Sequence, residues 1–492
     1  MSKPYIEEIL AAAGSPTRLF AGNEWLEATG GSIASINPAT EEELCQIGVA
    51  SAADVDRVVE AAKEGAQVWR DTPWNERMAK INVLADRLVE VADGMAMTDT
   101  IESGLPINGM KGDAVNCAKE LRYFAGIAGE AKGETYPDAK DLFASTILEP
   151  FGVVARIVPY NHPLKYAAGK SAAVLAAGNS VILKPAEQTS LTTLEFARIA
   201  GEILPPGVVN VVTGPGDPTG MALVAHPDVP RVAFTGGVES GRAVNEAAAR
   251  HFKTVSLELG GKNPLVVFGD APIDAAAAAA IAGMNFKRSM GQSCMSQSRI
   301  LVHESVHKDF VATFAKLVGE LKVGDPTDTA TDLGPLAFAA HRDRVLAHIG
   351  TAQAEGGNVR VGGGATAGFD RGYYVDPTVI DDVTPDMQIA QQEVFGPVAA
   401  IMPWNDYDAM IDTINGLPMG LTANVWTKDQ RMAMETARRI EAGLVWVNGS
   451  GRKPLGVPFG GYKDSGIGRE GSIDELLSYT RKKSVVINYG PA

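Results

Sequence analysis

From residue 151 the chain alternates between short, β-branched apolar runs and amphipathic stretches. Gly152 to Val158 reads as a strand, Leu164 to Ala177 as a helix of small residues, and Ser180 to Leu183 as a second strand. Leu191, Leu194, Ala197, Ile199 and Ile203 keep helical spacing until Pro205-Pro206-Gly207 stops them. Next come a strand at Val208 to Val212, a helix near Thr219 to Ala225, a strand at Arg231 to Phe234, a helix near Ser240 to His251 and a strand at Thr254 to Leu259. Strict alternation with short links predicts parallel strands joined by crossover helices, a doubly wound sheet. Such sheets take ligands at the carboxyl ends of their strands.

The second half repeats the style. Strands are expected at Arg299 to Val302, Val398 to Pro403, Ala423 to Thr427 and Leu444 to Asn448, and helices near Lys308 to Leu321, Tyr407 to Asn415 and Gln430 to Ile440. The fold class is therefore α/β, with two doubly wound parallel-sheet domains, as 492 residues also suggest. Leu142 to Leu148 and Ser484 to Tyr489 alternate outside both units as a small β arm. An isolated terminal strand needs an edge to pair with, which assembly into a homodimer or homotetramer would supply.

Composition narrows the partners. A net charge of -15 repels nucleic acid and anionic membrane, which leaves a small-molecule substrate. The start, Met1-Ser2-Lys3-Pro4, lacks the apolar core of a signal peptide, and no later apolar run is long enough to span a membrane. Cys45, Cys117 and Cys294 cannot all pair, which fits a reducing cytoplasm.

Cys294 follows Gly291-Gln292-Ser293 in a polar, small-residue setting unlike a core run, so it is a candidate nucleophile. Glu258 ends an apolar strand, where a carboxylate is costly unless it has work or a partner; a salt bridge to Lys262 is the plain alternative. Asn161, in Pro159-Tyr160-Asn161-His162-Pro163, sits where a strand turns into a helix and can donate to an oxyanion, although a cap is its commoner role. Lys184 and Glu187 follow a strand and can bind ribose hydroxyls, or form a solvated pair. Thr235-Gly236-Gly237 opens a helix whose amides can face a pyrophosphate. His303-Glu304-Ser305-Val306-His307 matches H-E-x-x-H, but it follows a strand, and a helix beginning near His307 would leave the two histidines astride a turn, so no metal site is expected.

Together and in this order these motifs resemble the aldehyde dehydrogenase superfamily of the NAD(P)-dependent, non-acylating type. The likeness runs from Ile36-Asn37-Pro38-Ala39-Thr40 to the C-terminal strand. It includes Glu393-Val394-Phe395-Gly396-Pro397 and Pro458-Phe459-Gly460-Gly461-Tyr462-Lys463-Asp464-Ser465-Gly466-Ile467-Gly468-Arg469-Glu470. The resemblance implies Rossmann-like domains: an NAD-binding domain at 1–123 and 149–257, a catalytic domain at 258–447, and oligomerisation strands at 124–148 and 470–492. It implies Cys294 as nucleophile, Glu258 as general base, Asn161 with the Cys294 N–H as oxyanion hole, and Lys170 with Glu470 as a proton relay. Lys184, Glu187, Gly236, Gly237, Glu393 and Phe395 match its cofactor contacts, with Pro159, Tyr160 and Leu259 beside them.

The implied reaction is oxidation of an aldehyde to its acid through a thiohemiacetal and a thioester on cysteine. Glu187 favours NAD over NADP, because a carboxylate on the ribose repels a 2′-phosphate. Tyr160 and His162 depart from the Trp and Phe common in the family, and Gly237 from its phosphate-binding serine. Small Ala168 and Gly169 with Phe459 and Phe286 suit an aromatic or medium-chain aldehyde, whereas Arg288 and His162 suit an acidic semialdehyde. A thioester hydrolase, a non-catalytic structural protein and a CoA-acylating enzyme are the competing readings, the last opposed by Glu258.

Overall fold

The first sheet holds five parallel strands in the spatial order Val209–Val211, Ser180–Lys184, Val153–Ile157, Arg231–Thr235 and Thr254–Glu258. These are the strands expected from the sequence, each within a residue or two of its expected ends. The computed structural model describes residues 3–13, 17–137, 140–451 and 453–490. Antiparallel strands at Arg18–Ala21 and Glu24–Glu27 extend one edge, and Gly466–Ile467 the other. Chain order reverses on the two sides of Val153–Ile157, so a crevice opens at its carboxyl end.

The second sheet has the order Asn358–Val361, Thr378–Asp381, Val398–Trp404, Arg299–His303, Pro264–Val267, Thr422–Trp426 and Leu444–Val447, parallel except for the first. Pro264–Val267 lies inside the sheet, between Arg299–His303 and Thr422–Trp426, yet the sequence reading passed over it. Four buried residues give no alternation to distinguish a strand from any other apolar run. Its core includes Val266, Ile300, Phe310, Phe314 and Ile401. Phe286, offered by the sequence as pocket surface, is instead fully buried there, 6.5 Å from Phe314.

Four helices at Ala52–Asp71, Trp74–Glu90, Ala92–Ser103 and Ile107–Ile127 complete the first unit. In the first of them Val55, Val58, Val59, Ala62, Ala66 and Trp69 form one buried stripe. Ser51 and Asp54 close a reciprocal capping box at its start. Trp69 donates its ring N–H to Leu175 O at 2.9 Å. The helix expected over Leu164 to Ala177 is broken into Pro163–Ala167, a 3₁₀ turn at Gly169–Ser171 and Ala172–Ala176. The tighter turn re-aims the side chain of Lys170, which reaches Glu470.

Thr480–Asn488 pairs along its length with Leu142–Pro150, which also pairs with Thr135–Tyr136. This is the β arm. The other side of Thr480–Asn488 is unpaired among the described residues, with Val486 62% and Ile487 42% exposed.

Glu102, fully buried, accepts from the N–H groups of Ser190 at 3.2 Å and Leu191 at 3.1 Å, capping the helix Leu191–Gly201 from another element. Burial raises its pKa well above the ordinary carboxylate value, with the Asp99 charge adding. Glu102→Ala strands two buried donors and is expected to cost about 2 kcal/mol. Glu102→Gln keeps an acceptor and costs less than half as much; urea unfolding of the pair measures the difference.

Candidate active site

The two sheets contribute opposite edges to one cleft. Residues 159–161, 184–187, 235–237 and Glu258 come from carboxyl ends of first-sheet strands, where Ile157 pairs with Lys184 and Thr235 with Glu258. Gly260, Cys294 and Glu393–Phe395 come from loops that feed the amino ends of second-sheet strands. The cleft encloses about 840 Å³ and is lined by Pro159, Tyr160, Asn161, Lys184, Glu187, Gly236, Gly237, Glu258, Cys294, Glu393 and Phe395 among others. Lys170 and Glu470 lie behind it. Leu259 does not line it; its side chain joins the first unit's core, and its N–H donates to Ser465 O.

Cys294 sits on a loop held by close backbone approach. Gly291 has φ +71°, and a Cβ there would lie 2.0 Å from Gly396 O, so glycine lets this loop touch the one that carries Glu393. Asn263 Nδ2 donates to Cys294 O at 2.7 Å. Burial pushes the Cys294 thiol up to about 12, with the Glu258 and Glu393 charges adding to the rise. Lys165 and a hydrogen bond from Tyr166 oppose it. Tyr166 keeps its proton because burial raises its own pKa, so it is the donor of that bond. It was not singled out in the sequence, where nothing marks a tyrosine one helical turn beyond Asn161 as facing a thiol.

Asn161 is 2% exposed and donates one amide N–H to Gln292 O at 2.8 Å, which fixes it beside the cysteine loop. Glu258 is 5% exposed, and neither of its oxygens has a partner. Lys262 is not bound to it and is itself buried with an unpartnered ammonium, so the salt-bridge alternative fails. Burial raises the Glu258 pKa well above normal, the Glu470 charge adds, and the Lys170 charge opposes. Glu470 is gripped on one side by Arg156 at 2.8 Å and on the other by Lys170. These two cations hold it well below the ordinary carboxylate range despite burial.

The other end of the cleft has the features of a dinucleotide site. Gly237 precedes the helix Val238–Ala249, no side chain caps that helix start, and a Cβ on Gly237 would meet only open space. Lys184 points its ammonium at Pro185 O at 2.9 Å, and burial brings it down to about 8. Glu393 accepts from Gly261 N–H at 3.1 Å, and burial brings it up to about 7. Gly260 is required beside it, since a Cβ there would stand 2.1 Å from its carboxylate. Tyr160 meets Phe338 edge-on at 5.3 Å and Phe395 at 6.0 Å. His341, also unread in the sequence, binds Phe395 O at 2.8 Å and holds that strained loop, with Phe395 at φ 56°. Open amides, a half-buried carboxylate and an aromatic floor fit phosphate, ribose and a planar ring.

Two sequence expectations are corrected. Arg288 does not face the site as a free cation: it pairs with Asp113, which also binds His162 at 2.5 Å. The helix after Arg299–His303 begins at Glu304, with His303 as its cap; His303 binds Ser305 at 2.7 Å, and His307 binds Asp381 at 3.0 Å. Among the described residues no cluster of His, Cys, Asp and Glu is arranged to hold a metal.

Residues 25–485 match the model of the aldehyde dehydrogenase family. The chain belongs to that family. It is 42% identical over 467 residues to aldehyde dehydrogenase tropH of Talaromyces stipitatus, covering 93% of this chain and 90% of that one. It is 39% identical over 481 residues to the hydroxyisobutyraldehyde dehydrogenase of Mycolicibacterium austroafricanum, covering 97% and 95%. The NAD+ complex of an aldehyde dehydrogenase from Bacillus cereus superposes with a TM-score of 0.95 at 36% identity, over 100% of this chain and 99% of that one. No helix among the described residues is long and apolar enough to cross a membrane.

A thiol held near 12 reacts slowly with electrophiles, because only the thiolate attacks. In the cofactor-free protein, iodoacetamide labelling of Cys294 is expected to be more than tenfold slower than that of a free cysteine at neutral pH. Its rate should climb without a plateau to about pH 10, as peptide mass spectrometry would record.

Proposed function

We propose that the enzyme oxidises an aldehyde to its carboxylic acid with NAD, through a thioester on Cys294. The observation that carries this reading is the meeting of three groups in one cleft: a thiol, an amide donor and an unpartnered carboxyl. Cys294 Sγ attacks the carbonyl carbon as its proton passes to solvent, and the carbonyl oxygen becomes an oxyanion. Asn161, with one N–H already held by Gln292, offers the other to that oxygen, and the Cys294 N–H serves with it. The nicotinamide of NAD, when bound, supplies the acceptor for the hydride leaving the substrate carbon. Glu258 then takes a proton from the water that attacks the thioester, and the acid departs as the Cys294 thiol re-forms.

Burial raises the Glu258 pKa, so loss of its proton is the step that readies it as a base. Lys170 and Glu470, behind it, form the route we assign to this transfer. Lys184 and Glu187 would hold the adenine ribose, Gly236 and Gly237 the pyrophosphate, and Glu393 and Phe395 the nicotinamide ribose. Pro159 and Tyr160 would wall the nicotinamide. Leu259 would act only through its packing. Glu187 supports NAD over NADP by charge repulsion of a 2′-phosphate.

Sheet membership supports residues 1–123 and 149–257 as the cofactor-binding domain and 258–447 as the catalytic one. The exposed edge of Thr480–Asn488 supports an oligomerisation role for 124–148 and 470–492, in a homodimer or homotetramer. Three unpaired thiols suit a reducing cytoplasm.

Aldehyde-dependent NADH formation tests the reading; release of acid from a thioester without NADH would favour the hydrolase instead. Cys294→Ser is expected to abolish NADH formation. Asn161→Ala should lower kcat by about 10²–10³. Glu258→Gln should give one rapid turnover of NADH followed by a steady state slowed about 10²-fold, as stopped-flow would resolve. The Lys170 charge lowers the Glu258 pKa, so its removal raises it. Lys170→Met should therefore shift the alkaline rise of kcat to higher pH, and Lys170→Arg should largely restore it.

A further inference from the structure

Three segments meet at Asp113: the helix Ile107–Ile127 that carries it, the turn Asn161-His162-Pro163 that opens the broken helix, and the loop that runs from Asn285 to Cys294. Asp113 is fully buried. One of its oxygens binds His162 Nδ1 at 2.5 Å, and the other accepts from the Arg288 guanidinium. Burial alone would raise its pKa, but His162 and Arg288 hold it well below the ordinary carboxylate range, so His162 Nδ1 is the donor of that bond.

These contacts close a circuit around the reacting groups. Asn161, the chain neighbour of His162, donates to Gln292 O at 2.8 Å. Gln292 stands between Arg288 and Cys294 in the chain, and its backbone N–H and side-chain amide both turn back to Ser289 O, at 2.8 Å and 3.4 Å. The path Asn161, Gln292, Ser289, Arg288, Asp113, His162 therefore returns to Asn161. The backbone does not fix this arrangement unaided, because the helix Phe286–Ser289 is a single turn flanked by left-handed residues, Asn285 at φ 54° and Met290 at φ 52°. A methionine in that region is strained and persists only where its surroundings hold it. Gly109 brings the holding helix close, since a Cβ there would lie 2.6 Å from Arg288 O. Past the Asn161 turn, Asp99 accepts from Leu164 N–H at 3.2 Å. Neither Asp113 nor His162 lines the cleft, so each acts through the segments it holds.

We propose that Asp113 is a positioning residue of the reaction, which through His162 and Arg288 keeps the Asn161 amide in register with the Cys294 loop. The inference rests on the oxyanion role given to Asn161 in the aldehyde-oxidation reading. With the circuit intact, the free Asn161 N–H is aimed where charge develops on the substrate oxygen. With it broken, Asn161 keeps its bond to Gln292, but the turn that carries it can swing about that bond. The loss then falls on the transition state and spares substrate binding.

The test uses the whole enzyme with NAD and the fastest of pentanal, benzaldehyde and 5-oxopentanoate. Asp113→Asn is expected to lower kcat about tenfold or more while KM for aldehyde and for NAD stays within about threefold. In an Asn161→Ala background the same change should cost less than about threefold, because the amide it positions is gone. His162→Leu fills similar space without a polar bond and should lose about tenfold in kcat, whereas His162→Asn, whose amide stands where Nδ1 stood, should restore most of that rate. An Asp113→Asn loss of equal size with and without the Asn161 amide would overturn the inference and leave the function standing. So would a His162→Leu enzyme as active as His162→Asn, a comparison that decides the matter even where Asp113→Asn does not fold. If the unaltered enzyme forms no NADH with any of the three aldehydes, the functional reading itself falls and the inference with it.

Discussion

The buried carboxylate of Glu470, clamped between Arg156 and Lys170, is the interaction on which the site depends. Arg156 lies in the central strand of the first sheet, Lys170 on the turn that breaks the Pro163 helix, and Glu470 in the C-terminal segment, whose backbone pairs with Phe459. One anion thus ties three distant stretches together behind Glu258. Removing any partner would leave a charge with no water to solvate it, a loss of about 3–5 kcal/mol in comparable pairs. The clamp also places a fixed negative charge near Glu258, which adds to the rise of its pKa.

Around the clamp, the cleft gains its chemistry from dryness. Burial raises the pKa of Cys294, Glu258 and Tyr166 because it weakens the solvation of their charged forms. The same dryness strengthens any dipole aimed at a developing oxyanion, so the groups that make the resting thiol inert favour the charged intermediate once it forms. The resting protein is guarded. Lys170 and Glu470 are among the charges that act on the Glu258 pKa, and Lys165 is one that acts on that of Cys294.

The substrate side follows a different logic from the cofactor side. The proposed cofactor side offers backbone amides and single carboxylates at strand ends, which the fold supplies wherever a doubly wound sheet reverses. The substrate side is built from helices and one loop whose charges are mostly cancelled in pairs.

The sequence by itself determined the alternation of strands and helices, the turn motifs and the choice of candidate reacting residues. These depend on local periodicity, proline and glycine placement, and short patterns in which Cys294, Glu258 and Asn161 stand out by context. It left Pro264–Val267 unread because a fully buried strand has no period, and it read one helix across Gly169–Ser171 because small residues do not announce a 3₁₀ turn. Only the tertiary structure decided that Arg288 is cancelled by Asp113, that Phe286 lies in the core, and that Tyr166 faces the thiol. Those are facts about residues far apart in the chain, or about the direction of a side chain. Neither is encoded in spacing; both follow from which surfaces exclude water when the two sheets meet.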